Sequence, residues 1–136
     1  MQTIDWAEAR YRLVHDERYL DAFLARDFGA LRLSPEDAER LNRLESADVL
    51  WAARGRRTEI RRRLLPVFDA VFERWSTYMS DDPRGEGLVT LFLQSPDFRR
   101  VHDGAEPLHV GFRRFARRTG VFPDSLLWRD EALAAK

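Results

Sequence analysis

The chain of 136 residues is 44% hydrophobic and 34% charged, with 23 basic against 23 acidic side chains and no cysteine. These values describe one globular domain with a sizeable core, and they exclude a disordered chain, a disulfide scaffold, a thiolate metal site and a cysteine nucleophile. The N-terminal MQTIDWAEARYRL has no basic flank, apolar run or cleavage site, and the longest apolar stretch, LVTLFL at 88–93, is far too short for a membrane span. A cytoplasmic protein without membrane contact is expected.

Apolar residues recur at helical spacing from about residue 5 to residue 27, through Trp6, Leu13, Val14, Tyr19, Leu20, Phe23 and Leu24. His15-Asp16 is a potential break, and Gly29 offers a C-terminal stop. LSPEDAERLNRL follows. Ser34 reads as an N-cap, Pro35 takes the first helical position, and Asp37 favours the positive helix end.

Ser46 and Asp48 start another helix, which carries Val49, Leu50, Trp51 and then RGRRTEIRRR at 54–63. Ile60, Leu64, Val67, Phe68, Val71, Phe72 and Trp75 continue the apolar stripe. Pro66 interrupts it and predicts a kink or a restart. SDDPRGEG at 80–87 is a loop, while LVTLFLQ at 88–94 fits a buried helix or a short strand equally well. Ser95-Pro96-Asp97 repeats the cap of residues 34–37. A helix with Leu108, Phe112, Phe115 and Ala116 is stopped by Gly120, and Asp124 or Ser125 caps a last one bearing Leu126, Leu127, Trp128 and Leu133. The expected fold is mainly α: a single compact domain over 1–136 of five to six helices, with at most a minor strand element at 88–94.

Catalytic signatures are missing. The sequence has no GxSxG, GxGxxG or GxxxxGK[ST], and Ser34, Ser46 and Ser95 read as helix caps. His102, Asp103, Glu106 and His109 lie close enough for a metal site, but Gly104 and Pro107 interrupt any regular ligand spacing. No catalytic residue, metal ligand or cofactor is assigned.

Charge is zero overall yet segregated. Residues 1–48 carry −4, 49–68 carry +5, 69–98 carry −4 and 99–120 carry +4. The strongest feature is Arg54, Arg56, Arg57, Arg61, Arg62 and Arg63 set against Glu59 alone. Only one basic residue, Lys136, is lysine, so arginine density is partly a property of the whole chain. A solvated helix face, a dock for an acidic partner and a phosphate grip all fit this run. Blocks of both signs suit a mixed-charge partner better than nucleic acid, which usually demands a basic domain. Tryptophan and arginine are also the residues enriched at binding hot spots, and Trp128 is the sequence's candidate anchor.

RYLDAFLARDFGALRLSPEDAERLNRL resembles a segment of small helical subunits such as the non-metal subunit of extradiol dioxygenases. It is also similar to the partner proteins of multinuclear non-haem iron oxidative enzymes in ribosomal peptide natural-product (RiPP) biosynthesis. RGRRTEIRRRLLPVFDAVFERW resembles the basic helix, proline and aromatic helix of those partners. LFLQSPDFRR and FRRFARRTGVFPDSLLWRDEAL resemble their C-terminal portion, so the likeness covers roughly 18–133. It implies a non-catalytic, peptide-binding accessory subunit, forming a heterodimer with an iron-dependent oxidative enzyme and presenting a precursor peptide to it. In several such partners a strand captures the peptide by edge pairing, and here only LVTLFLQ is available for that. The residues expected at such a surface are Arg54, Arg57, Arg61 and Arg62, with Leu91, Phe92 and Phe98 as apolar contacts and Trp128 beyond them. The alternative is a small helical nucleic-acid-binding or regulatory protein using the same arginines.

Overall fold

A computed structural model describes residues 2–127. Contacts within the chain divide it into two units, Met1–Arg56 and Arg57–Lys136. The described residues are mainly helical, with no strand among them.

The first unit begins with α1 (Trp6–His15) and α2 (Glu17–Leu24). Asp16 separates them: it ends α1 in an extended conformation, and its carboxylate then accepts the amides of Arg18 (3.0 Å) and Tyr19 (3.3 Å) at the start of α2. Gly29 is not the stop that its type suggested. It lies inside a further short helix, α3 (Phe28–Leu31), and the chain turns earlier, at Arg26, which takes φ +54°. That left-handed arginine is held from both sides. Its guanidinium lies 4.3 Å from the Phe23 ring and donates to the Leu44 carbonyl (3.1 Å) and the Ser46 hydroxyl (3.2 Å). Tertiary contacts thus offset a conformation that glycine would adopt without strain.

Ser34 caps α4 (Pro35–Asn42) as its spacing predicts, accepting the Asp37 amide at 3.2 Å. Ala9, Leu13, Tyr19, Leu20, Phe23, Leu31, Leu41, Val49 and Ala53 close the core of this unit. The Tyr19 hydroxyl donates to the Leu31 carbonyl (2.9 Å), and burial pushes its phenol up to about 12. It therefore stays a neutral donor, joining α2 to α3 across the core.

α5 (Ser46–Leu64) carries the arginine run and continues into the second unit. It ends just before Pro66, and a new helix, α6 (Asp69–Tyr78), starts three residues later, so the proline produces a restart and not a kink. α7 (Glu86–Leu93) settles the ambiguous segment as a helix. Leu88, Val89, Phe92 and Leu93 are its buried residues, at helical spacing and not in alternation. With α8 (Pro96–His102), capped by Ser95, and α9 (Leu108–Thr119), ended by Gly120 at φ +73°, it surrounds a phenylalanine cluster. Phe92 meets Phe98, Phe112 and Phe115 at ring separations of 5.3, 5.1 and 5.3 Å, and Phe112 reaches Phe68 at 4.8 Å.

A helical turn at 124–127 brings the described helices to ten, where periodicity suggested five or six. Asp5, Asp16, Asp27, Ser34 and Ser95 each accept a backbone amide at the start of a helix, and the start at Asp27, which opens α3, is the one among them that the apolar pattern did not announce.

Candidate functional site

α5 is built to show charge. Val49, Ala53, Ile60 and Leu64 are its buried positions, and the arginines are distributed over the rest of its circumference. Arg54 and Arg62 are exposed, and Arg57 and Arg61 are half-buried. Arg61 helps to hold the fold, because its Nε donates to the Arg84 carbonyl at 2.6 Å. Arg56 reaches back within the first unit, donating to Nε2 of the buried His15 at 3.3 Å, while His15 Nδ1 donates to the Tyr11 carbonyl (2.8 Å). Arg54, Arg57, Arg62 and Arg63 form no ion pair among the described residues. Elsewhere Arg12, Arg43, Arg114 and Arg118 each meet a carboxylate, while Arg10, Arg18 and Arg74 are scattered singly over other helices with no ion pair among the described residues. α5 differs in gathering four such guanidinium groups on one helix.

The apolar contacts expected from sequence separate into two kinds. Leu91 is 51% exposed on α7 and is available to a partner. Phe92 and Phe98 are not: both are fully buried in the phenylalanine cluster, so they hold the fold and touch no partner in this conformation. The edge strand that would capture a peptide does not form either, because 86–93 is helical. Trp128 lies outside the described residues.

Sequence reasoning missed Trp51. It is 80% exposed in the interior of α5, whereas Trp75 is buried and Trp6 is half-covered, with the Arg40 guanidinium 4.1 Å from its ring. The signal was present, because Trp51 falls on the side of the helix opposite Ala53, Ile60 and Leu64 at about 100° per residue.

The histidine-carboxylate cluster resolves into an ionic clamp. Glu106 accepts two hydrogen bonds from Arg114, one at 2.9 Å, and lies 3.7 Å from Arg100. Asp97, 4% exposed, receives Arg114 Nε at 2.6 Å and also Arg118. His102 and His109 are exposed, and no group of three potential metal ligands occurs among the described residues. Gly111 allows α8 and α9 to approach this closely, since a Cβ there would stand 2.5 Å from Val101 Cγ2.

Hydrogen bonds from Arg114 hold the Glu106 carboxyl below its ordinary range against the opposing effect of burial, and the charges of Arg114 and Arg100 add to this. A depressed carboxyl contributes stability that is present above its unfolded value, about 4.3 for glutamate, and is lost as pH falls through the folded value. The melting temperature of the protein is therefore expected to drop on acidification below about pH 4. Glu106→Gln should melt lower at neutral pH and show a shallower acid decline. Parallel thermal melts of the two proteins between neutral and acidic pH check this.

The first unit has a groove of about 220 Å³ over Leu13, Val14, Leu44 and Val49, with Arg10, Glu45 and Asp48 as its charged lining. It fits one apolar side chain and presents no nucleophile or proton-transfer pair. No described helix is long and apolar enough to cross a membrane. Comparison of the chain with protein-family models, curated proteins and solved structures finds no match.

Proposed function

We propose that the chain is a non-catalytic accessory subunit that docks an acidic partner through the arginines of α5. The observation that carries this reading is that four arginines without a carboxylate partner among the described residues, Arg54, Arg57, Arg62 and Arg63, are gathered on one helix. Charges left uncompensated on a folded surface steer an oppositely charged partner and set its register. The resemblance to RiPP partner proteins supplies the partner's class: an iron-dependent oxidative enzyme and its ribosomally made precursor peptide. With no strand among the described residues, the peptide would be met by helix faces, with Leu91 as an exposed apolar contact.

The test is affinity capture from the native host at low salt, with mass spectrometry and an iron assay on the eluate. Capture of an iron-containing enzyme is expected, and the double variant Arg54→Ala/Arg57→Ala should bind that enzyme about tenfold more weakly with a shallower salt dependence. Affinity unchanged in the variant and across salt would remove the arginines from the interface.

Trp51 favours one second reading. An exposed indole on an arginine helix can stack on a nucleobase while guanidinium groups meet phosphate. Tight binding of single-stranded DNA with a steep salt slope, without capture of an enzyme, would select it.

A further inference from the structure

Two features of α5 lack any explanation among the described residues. Trp51 leaves most of its indole in water. One turn further on, Gly55 stands inside a 19-residue helix, although glycine is the poorest helix former after proline. Gly55 takes no positive φ, and a Cβ placed on it would meet no atom within 4 Å. Nothing among the described residues requires a glycine there.

We infer that α5 pairs antiparallel with the α5 of a second copy of this chain, crossing at Gly55. Helical spacing puts Gly55, Thr58, Glu59 and Arg62 around a single four-residue hole, at i, i+3, i+4 and i+7. In an antiparallel pair centred on Gly55, the residue opposite that hole is Trp51 of the other copy. Each indole then enters the hole that the other copy's glycine leaves open, and the two-fold axis makes the contact twice. The missing Cβ is what admits a side chain as large as tryptophan.

Charge selects the same partner and the same direction. Asp48 lies seven residues before Gly55 and Arg62 seven residues after it, two turns to either side on the same face. Neither has an ion pair among the described residues. Antiparallel pairing sets Asp48 of each copy against Arg62 of the other, whereas parallel pairing would set like against like. Arg62 would also lie over the partner's Trp51, where a guanidinium is attracted to the indole face. Of the docking arginines proposed above, the seam takes Arg62 alone; Arg54 and Arg57 lie on one flank of it and Arg63 on the other, so the dimer leaves those three for the docking role.

Sedimentation equilibrium of the full chain from about 1 μM to about 1 mM tests the proposal. A monomer–dimer equilibrium is expected, with Trp51→Ala raising the dissociation constant by at least about tenfold. Asp48→Arg alone and Arg62→Asp alone should each weaken the dimer, and the two together should restore it to within about threefold of the unaltered chain. Gly55→Ala separates interface from fold, because it should raise the melting temperature while weakening the dimer. All these side chains are exposed or open to solvent, and circular dichroism verifies that each variant is folded. A chain that stays monomeric over the whole range overturns the inference, as does a dimer that Trp51→Ala and the charge swaps leave unchanged.

Discussion

Phe92→Ala is expected to destabilise the protein by about 3–5 kcal/mol, a large fraction of the total stability of a typical domain. Phe92 is fully buried and is the ring on which Phe98, Phe112 and Phe115 converge. Truncation removes its own apolar burial and leaves a cavity between rings held by α8 and α9, where collapse is difficult. Leu91 is the natural control. It is the adjacent residue, half-exposed on the outer side of α7, and its replacement by alanine should stay within about 0.5 kcal/mol. Urea denaturation of both variants checks the contrast. Equal effects would show that α7 does not face the core as described. The comparison also guards the functional reading, because a Phe92 variant that fails to bind a partner would be reporting lost structure.

Asp82→Ala should cost about 2–3 kcal/mol, through a lost helix cap and an unsatisfied indole donor. Asp82 belongs to the loop SDDPRGEG, which composition marks only as polar. Its Oδ2 accepts the Trp75 indole N–H at 2.8 Å and the amides of Gly87 and Leu88 at 2.9 and 3.3 Å. Gly85, at the N-cap of α7 with φ +71°, has no side chain to cap with, so Asp82 does it from three residues earlier. The same carboxylate ties the end of α6 to the start of α7. A Cβ on Gly87 would stand 2.8 Å from Oδ2, which explains the glycine beside it. Asp82→Asn keeps an acceptor but loses the charge at the positive helix end, and should recover part of the loss. Denaturant midpoints for the three proteins, followed by tryptophan fluorescence, decide the order. Unchanged stability in Asp82→Ala would mean that water replaces the carboxylate at all three donors.

Local chemistry made much of the chain readable in advance. The break at Asp16, the caps at Ser34 and Ser95, the restart after Pro66 and the stop at Gly120 each depend on a residue acting on its immediate neighbours, and each occurs where its spacing predicts. The helical class followed from the same signals. Where a property depended on distant partners, the chain was silent or misleading. Arg26 turns in place of Gly29 because Phe23, Leu44 and Ser46 hold it there. LVTLFLQ is helical with its buried side chains packed against α8 and α9, and neither length nor composition carried that information. The sequence assigned no metal ligand among His102, Asp103, Glu106 and His109, but it did not show that Arg114, eight residues away, holds the Glu106 carboxylate. Leu91, Phe92 and Phe98 formed one apolar group in the sequence, and only packing divided an exposed leucine from two core rings. Helix starts and stops were legible in the order of residues, because caps and turns are settled by bonds within a few positions. Which charges are paired internally, and which apolar residues face out, became definite only in the folded molecule, because burial and ion pairing join groups far apart in the chain.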